Sequence, residues 1–363
     1  MIFDILELLF MQIFRVGGIV RDLLMGVKPN DVDYVVVGST PEEMLSLGFT
    51  QVGASFPVFL KDGNEYALAR TERKTGVGYN GFAVEYDSKV TLEDDLIRRD
   101  LSINSMAMDD DGNIIDPYGG RDDIKNKILR HTSDAFNEDP IRVLRTCRLS
   151  ARFPDFSIAS ETMDLMKSVV HELEFVPAER IWVEIEKGLQ HNCFNRMLRN
   201  MARVGCFKII PLLKLQPMVE DFYRAVWTSL TGYQLLTPVQ KFAVVSHGLT
   251  SSDFESLRVP IEFSKVALAL NDVSDTLCKY EHTTPEQKLI IFERLKAFNN
   301  DSTLLDDICA ILVSDSSRDR VPQLLRTDLD KLKKVNAGEI AQMFTSGHDI
   351  KNAIRAARIN ALT

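Results

Sequence analysis

The chain has 363 residues, of which 45% are hydrophobic and 26% are charged, as in an ordinary globular protein with room for two or more domains. No apolar run approaches membrane-spanning length, so we expect no membrane partner. The net charge of −9 is unfavourable for a nucleic-acid-binding protein, but net charge is a poor guide where arginines cluster, as they do here.

The cysteines and the N-terminal segment both favour a cytoplasmic location. The five cysteines are scattered, with no Cys-x-x-Cys pair and no zinc-like histidine partners, so we expect reduced thiols without disulfide partners. Residues 1–10 are apolar but contain Asp4 and Glu7 and no basic leader, which argues against a secretory signal. We expect the working fold to begin near Met11.

The first predicted elements are a short apolar strand at residues 13–16, a glycine pair, and a second strand at residues 31–37. Gly17 and Gly18 lack a Cβ, which allows backbone N–H groups to approach a phosphate closely. Arg21 supplies a planar donor fork for the same group. A glycine pair alone is usually a turn. Because this pair is followed closely by Arg21 and by the second strand, Gly18 and Arg21 are candidate nucleotide-binding residues.

The second strand carries two acidic residues on one face. Asp31 and Asp33 point the same way because strand side chains alternate between faces. Carboxylates this close repel each other, and a divalent cation relieves the repulsion, although an Asp-x-Asp pair alone is usually a solvated strand edge. Glu65 is a candidate third carboxylate if its strand, predicted at residues 65–70, lies beside the first pair. A solvated strand-edge glutamate explains it almost as well, and Glu72 is a weaker competitor.

The pattern along the chain predicts an α/β head followed by an all-helical body, which is an α+β fold overall. Up to about residue 130, short β-rich runs mix with helices, whereas from about residue 134 β-signals vanish and helical periodicity takes over. The head is interrupted at residues 72–81 by a stretch with three glycines and no apolar period. This stretch is predicted to be a mobile loop.

Arg98, Arg99 and Asp100 form a charged cluster after an acidic run at residues 93–95. The apolar residues that follow predict a helix at residues 101–107. In isolation, a surface ion pair between the arginines and the acidic run is the simplest explanation of the cluster. Beside a metal site, Arg99 is a better candidate for a triphosphate ligand and Asp100 for an acceptor of ribose hydroxyl groups.

A helix with functional arginines is predicted to start at Asp139, a good N-cap, with Pro140 in the first helical position. Asp139 and Arg142 are three residues apart and therefore share a face, which Arg145 and Arg148 continue. An acceptor and a donor fork side by side can read the Watson–Crick edge of a base. A capped helix with an intrahelical ion pair has the same spacing, and the sequence does not separate the two.

Taken together, these motifs resemble those of the class II tRNA nucleotidyltransferases (CCA-adding enzymes) of the polymerase β superfamily. The match runs almost without gaps from Ile13 to Lys187 and continues more faintly to the end. The matching motifs are the metal motif at residues 17–22 and 31–33, the ribose motif at 98–104, the hinge at 116–123, the Glu-Asp-x-x-Arg motif at 138–145 and the neck helix at 179–187.

The resemblance implies stepwise addition of C, C and A to the 3′ end of tRNA from CTP and ATP, by nucleotidyl transfer with two metal ions. It implies Mg²⁺ held by Asp31 and Asp33, with Glu65 as the third catalytic carboxylate. Asp139 and Arg142 would pair with the incoming base in place of a template. The remaining candidate nucleotide-binding residues are Gly18, Arg21, Arg99, Asp100, Arg145 and Arg148.

The resemblance also implies three segments: a polymerase β-like nucleotidyltransferase head at residues 11–133, a helical neck with base recognition at 134–200, and a helical, tRNA-binding body and tail at 201–363. Many proteobacterial relatives carry a phosphohydrolase with a His-Asp motif in the C-terminal half. Here His247 is followed by Gly248, so we expect a degenerate region of this HD type without hydrolase activity.

Three other functions remain open. A poly(A) polymerase shares the head but selects only ATP, and no basic C-terminal extension supports it. A partial enzyme would add only CC or only A, and the full-length loop at residues 72–81 argues against CC alone. A non-catalytic RNA-binding relic is the third, and it has no reason to keep paired carboxylates that repel each other.

Overall fold

The computed structural model describes residues 11–29, 31–52, 58–74, 82–85, 89–210, 233–299, 303–314 and 320–363. The extension predicted before Met11 lies outside these residues. The chain divides into two compact units, which are Met1–Glu184 with Cys193–Ile209, and Ile185–Asn192 with Ile210–Thr363. None of the described helices is long and apolar enough to cross a membrane.

The first unit contains a seven-stranded mixed sheet within the described part of the chain. The strands of the unit are β1 (Gln12–Val16), β2 (Asp33–Val37), β3 (Thr50–Val52), β4 (Val58–Lys61), β5 (Asn64–Leu68), β6 (Thr71–Lys74), β7 (Phe82–Glu85), β8 (Ala107–Met108), β9 (Ile114–Ile115), β10 (Ile128–Leu129) and β11 (Ser157–Ile158). The sheet order is β3-β4-β5-β2-β1-β8-β9, and β2 and β5 run parallel while the other neighbours are antiparallel. The remaining strands form the antiparallel pair β6–β7 and the parallel pair β10–β11.

Helices cover the sheet and continue beyond it. They are α1 (Gly18–Leu24), α2 (Pro41–Ser46), α3 (Leu92–Ile97), α4 (Gly120–Asn126), α5 (Ile141–Arg152), α6 (Ser160–Val169), α7 (Ala178–Leu189) and α8 (Phe194–Val204). Because side chains alternate along β2, Val35 packs with Leu96 of α3 on one face, while Val36 packs with Met44 of α2 on the other. The apolar side of α5 packs along α8.

The second unit is helical throughout its described residues. Its helices are α9 (Pro238–Val245), α10 (Ser251–Ser256), α11 (Ile261–Leu277), α12 (Pro285–Arg294), α13 (Leu304–Val313), α14 (Val321–Lys333), α15 (Ala337–Gln342) and α16 (Gly347–Ala361). Three aromatic side chains form part of its core, with the ring of Phe242 centred 5.7 Å from the rings of both Phe254 and Phe263. The predicted α+β fold, a mixed-sheet head followed by helices, is confirmed.

The predicted helix at residues 101–107 is wrong. The structure has only a short 3₁₀ turn, Ser102–Asn104, and Leu101 forms a β-bridge with His131. The cause is the side chain of Asp100, whose Oδ1 accepts hydrogen bonds from the N–H of Leu101 and from the side chain of Asn104, both at 2.9 Å. Such local bonds compete with helix formation.

Two other expectations are corrected in part. The β-signals were predicted to vanish after residue 134, yet β11 pairs with β10, and a two-residue strand is too short to leave a periodic signal. The stretch at residues 72–81 was predicted to be a loop, but its first three residues belong to β6, which pairs with β7. Residues 75–81 lie outside the described residues.

Candidate active site

A turn of two glycines links β1 to α1. Gly17 has a φ of 77° and a ψ of −128°, a conformation that residues with a Cβ rarely adopt. Its N–H donates to the carbonyl oxygen of Met106 at 3.2 Å. A Cβ on Gly17 would lie 3.0 Å from Nη1 of Arg99. The glycine therefore permits the turn and also lets an arginine approach the backbone.

Arg21 is buried against this glycine turn. Its Nε donates to Oδ1 of Asp22 at 2.9 Å, and its Nη1 donates to Oδ1 of Asn104 at 2.5 Å. A Cβ on Gly18 would lie 3.3 Å from its Nη2. Burial lowers the pKa of Arg21, and the carboxylate of Asp22 opposes that shift. The result is a fixed guanidinium beside the glycine turn, which suits contact with a phosphate.

The carboxylates predicted to bind metal lie at one end of β2 and β5. Asp33 pairs in register with Glu65 across these parallel strands, and Asp31 precedes Asp33 by two residues. All three are exposed, and Asp33 and Glu65 share a face because they lie opposite each other on neighbouring strands. The strand predicted at residues 31–37 begins only at Asp33, so Asp31 lies two residues before β2. Among the described residues, no three His, Cys, Asp or Glu side chains are grouped closely enough to hold a metal ion. Strand β5, which carries Glu65, lies beside β2, as the role of Glu65 requires. Its role as a third metal ligand stays a prediction.

Arg99 approaches the glycine turn from the end of α3. Its Nε and Nη2 donate to Oδ2 of Asp95 at 3.2 and 3.0 Å, and Asp95 also pairs with Arg98. Burial alone would raise the pKa of Asp95, but the guanidinium groups of Arg99 and Arg98 outweigh it and hold that pKa below its ordinary value. The ion pair considered from the sequence is formed, and it fixes Arg99 with Nη1 next to Gly17.

Asp100, the predicted acceptor for a ribose, is buried and already has several partners. Besides the two bonds to Oδ1 from Leu101 and Asn104, its Oδ2 accepts from Nε of Arg145 at 2.8 Å. Burial opposes ionisation, but Arg145 and Asn104 hold the pKa of Asp100 well below its usual range. A ribose hydroxyl would therefore share an oxygen of Asp100 with Arg145 or Asn104.

The residues predicted to read the base lie at the start of α5. Oδ1 of Asp139 accepts from the N–H of Ile141 at 3.2 Å, but α5 begins at Ile141 with Pro140 at the N-cap, one position later than predicted. Its Oδ2 accepts from Nη2 of Arg180, on α7, at 2.8 Å. Nη1 of Arg142 donates to the carbonyl oxygen of Ala135 at 2.7 Å. Asp139 is thus held by Arg180 of α7, which lies in the segment that resembles the neck helix of the family.

Three arginines follow along α5, and each pairs with a carboxylate from a different part of the chain. Arg145 binds Asp100, as described above. Nε of Arg148 donates to Oε2 of Glu184, on α7, at 2.6 Å, and Nη2 of Arg152 donates to Asp22 at 2.7 Å. Helix α5 is therefore bound by ion pairs both to the head and to α7.

All of these groups line one open cavity of about 770 Å³ in the first unit. It brings together every site residue predicted from the sequence, which are Gly18, Arg21, Asp31, Asp33, Glu65, Arg99, Asp100, Asp139, Arg142, Arg145 and Arg148. The cavity is also lined by four residues for which no site role was predicted, Asn104, Arg152, Arg180 and Glu184, although Asn104 lies in the ribose motif and Arg180 and Glu184 lie in the neck-helix motif. The partners of Arg152, Arg180 and Glu184 lie 36 to 130 positions away, and Asn104 joins Asp100, four positions away, to Arg21, 83 positions away.

The stretch predicted to be a degenerate HD-type region lies in the second unit, directly after α9. Nε2 of His247 lies 3.1 Å from Oγ of Ser274. Gly248 has a φ of 86°, and its N–H donates to Oδ1 of Asn271 at 3.0 Å. The glycine thus occupies a left-handed turn that favours it over aspartate. The predicted lack of hydrolase activity stays a prediction.

Comparison with known proteins assigns the family. The Poly A polymerase head domain family matches residues 13–130, and the family described as the probable RNA and SrmB-binding site of polymerase A matches residues 155–216. The CCA-adding enzyme of Pseudomonas putida (strain W619) is 37% identical over 366 residues, which cover 97% of this chain and 98% of the relative. The Multifunctional CCA protein of Aromatoleum aromaticum is 43% identical over 293 residues, covering 79% of this chain and 71% of the relative.

Solved structures show the same fold. The Thermotoga maritima CCA-adding enzyme complexed with tRNA_CCA is 23% identical, with a TM-score of 0.66 over 99% of this chain and 91% of that one. The Bacillus stearothermophilus CCA-adding enzyme in complex with CTP is also 23% identical, with a TM-score of 0.66 over 97% and 89% of the two chains. Given the sequence identity to full-length relatives, this chain belongs to the family of CCA-adding enzymes, the class II tRNA nucleotidyltransferases.

Proposed function

We propose that this chain adds C, C and A stepwise to the 3′ end of tRNA, using CTP and ATP and no nucleic-acid template. The observation that supports this most directly is the shared cavity, in which an acidic strand edge, a glycine turn with fixed arginines and the pair Asp139 and Arg142 lie together. The acidic edge and the turn suit any nucleotidyl transfer. The pair at the start of α5 is what would select the nucleotide.

The acidic strand edge fits Mg²⁺ by the chemistry of its donors. Asp31 and Asp33 would hold the metal with carboxylate oxygens from the start of β2 and the residues before it, and Glu65 is the candidate for a third ligand. When bound there, a divalent ion would neutralise phosphate charge and lower the pKa of the attacking 3′-hydroxyl. The exposure of all three carboxylates leaves them open to a cation and its substrate.

Two arginines beside the glycine turn, Arg21 and Arg99, would bind the triphosphate. Arg21 and Arg99 are held by Asp22 and Asp95, so their guanidinium groups are oriented before the nucleotide arrives. Gly18 leaves room for a phosphate at the turn, and Asp100 would accept a ribose hydroxyl. No covalent intermediate is needed, because positioning and charge neutralisation carry phosphoryl-type transfers.

Base selection would follow from the donor and acceptor pattern at Asp139 and Arg142. Cytosine and adenine both present an exocyclic amino donor beside a ring-nitrogen acceptor on the Watson–Crick edge. A carboxylate accepts from the first and a guanidinium donates to the second, whereas guanine and uracil present the reverse pattern. Arg145 and Arg148 would hold base and phosphates from the same helix.

Each of the three predicted segments would have a separate function. We assign catalysis to the head at residues 11–133, base recognition to the neck at 134–200 and tRNA binding to the body and tail at 201–363. The last segment would bind tRNA through shape and backbone charge rather than sequence. A cytoplasmic location is in keeping with five cysteines that all remain thiols.

Gel extension of three tRNA transcripts tests this function. The transcripts end before CCA, after C and after CC, and each is incubated with Mg²⁺ and CTP, ATP or both, beside an Asp31→Ala, Asp33→Ala control. We expect growth to CCA and then a stop, lost in the control. An unbounded A ladder would indicate a poly(A) polymerase. Addition of only CC or only A would indicate a partial enzyme. Tight tRNA binding without extension would indicate a non-catalytic protein.

A further inference from the structure

The carboxylate of Asp22 bridges two arginines from different elements, Arg21 of α1 and Arg152 at the end of α5. Its Oδ1 accepts from Arg21 of the glycine turn at 2.9 Å, and its Oδ2 accepts from Arg152 of α5 at 2.7 Å. Both guanidinium groups also lie near the ring of Phe153, with Cζ 5.1 and 5.2 Å from its centroid. One side chain thus joins the glycine turn to the helix that starts after Asp139.

A second connection runs from the same arginine to the same helix. Nη1 of Arg21 donates to Asn104, whose Nδ2 donates to Asp100, and Asp100 accepts from Arg145 of α5. Arg145 and Arg152 are seven residues apart, so they lie two turns apart on nearly the same side of the helix. Helix α5 is therefore tied to the head at two points, and both ties lead to Arg21.

Burial makes these groups depend on each other. Arg21 and Asp22 are 4% and 3% exposed, and Asp100 and Asn104 are 6% and 7% exposed. A buried charge that loses its partner is strongly destabilised, so the loss of one member forces the others to rearrange. Arg152 is the most accessible member of the connection through Asp22, with 24% of its side chain exposed. It can be replaced without opening the core.

We propose that Arg152 is a positioning residue, which acts through Asp22 to fix Arg21 at the glycine turn. Binding of the triphosphate at the turn then depends on the placement of α5, the helix that carries Arg142. The proposal rests on the proposed function, in which Arg21 contacts the triphosphate. Arg152 exerts its effect through the shared carboxylate and not through its own contact with the nucleotide.

A double-mutant cycle tests this route. Arg152→Gln, Asp22→Asn and the double variant are compared with wild type for kcat and KM of CTP addition to tRNA ending before CCA, and for the CTP-to-UTP ratio of kcat/KM. We expect Arg152→Gln to lower kcat/KM for CTP about tenfold, mainly through KM, the size of effect typical of one charge-assisted hydrogen bond. We also expect the CTP-to-UTP ratio to stay unchanged, because the two nucleotides carry the same triphosphate, and the double variant to be no worse than Asp22→Asn alone.

The controls separate this role from others. Lys127→Gln breaks the exposed ion pair with Asp155 and should leave all of these parameters unchanged. If thermal unfolding shows that Asp22→Asn does not fold, Arg21→Gln replaces it in the cycle, with the same non-additivity expected. Additive losses, or a clear fall in the CTP-to-UTP ratio in Arg152→Gln, would overturn the inference. A wild-type protein that adds no nucleotide would instead refute the proposed function.

Discussion

At the scale of single residues, Arg180 donates to Asp139, the carboxylate proposed to read the base. Its bond to Oδ2 of Asp139 is charge-assisted and 2.8 Å long, and it comes from a different helix. We predict that Arg180→Ala lowers kcat/KM for CTP about tenfold, equivalent to ~1.4 kcal/mol, because Asp139 loses the contact that orients it. Steady-state extension of tRNA ending before CCA measures this. Arg180→Lys, which keeps the positive charge, should lower kcat/KM for CTP less than Arg180→Ala. Wild-type kinetics in Arg180→Ala would contradict the prediction.

The ionisation of Asp100 makes the stability of the first unit depend on acidity. Because Arg145 and Asn104 lower its pKa in the folded state, the unfolded state takes up a proton first as the pH falls. The stabilisation is therefore complete above the ordinary pKa of an aspartate, about 4, and is lost as the pH falls below it.

We therefore predict that wild type loses stability between about pH 4 and pH 3 faster than Asp100→Asn, by up to ~1.4 kcal/mol per pH unit. Urea unfolding at a series of pH values measures the difference. Other carboxylates titrate in both proteins and cancel in the comparison. Parallel pH profiles for the two proteins would show that Asp100 has an ordinary pKa in the folded state.

At the scale of elements, the start of α4 is packed so closely that it requires glycine. A Cβ on Gly120 would collide with the carbonyl oxygen of Ser102 and lie 2.9 Å from Sδ of Met106. We predict that Gly120→Ala lowers the free energy of unfolding by about 1–3 kcal/mol, the usual cost of overpacking. Thermal or urea unfolding measures it. Gly347→Ala is the matched control, because a Cβ there meets no atom within 4 Å, and an equal effect of the two substitutions would refute the packing argument.

The elements also show which parts of the fold and the site a sequence can predict. The strands β1 and β2 and the start of α5 were predicted because alternation, glycines and a capping residue are local signals. The turn after Asp100 was missed because side-chain bonds override the helical pattern there. The contact of Arg180 with Asp139 spans 41 positions and depends on helix packing, for which a single sequence holds no local signal.

At the scale of the whole molecule, the proposed metal site and the segment proposed to bind tRNA belong to different parts of the sequence. The carboxylates proposed to hold Mg²⁺ lie at one end of β2 and β5, whereas tRNA binding is proposed for residues 201–363. We predict that chelation with EDTA abolishes nucleotide addition and leaves the Kd for tRNA within about twofold, because metal-dependent catalysis and counterion-driven binding are separate terms. Filter binding and extension assays on the same samples measure both. A parallel loss of binding and activity would show that the metal is part of the RNA site.

The net charge of −9 raises the question of how such a chain binds a polyanion at all. Local arginines supply the answer. Salt screens the repulsion between the net negative charge and the RNA at distances beyond about 10 Å, so the attraction between arginines and phosphates at the contact surface outweighs it. We predict that tRNA affinity falls about tenfold or more between ~50 and ~200 mM KCl, with log K linear in log salt concentration, since each neutralised phosphate releases counterions. Replacing Arg196 or Arg199 by Gln tests whether arginines outside the cavity contribute, through a shallower slope. A Kd independent of salt would mean that shape and base contacts, rather than phosphate charge, hold the tRNA.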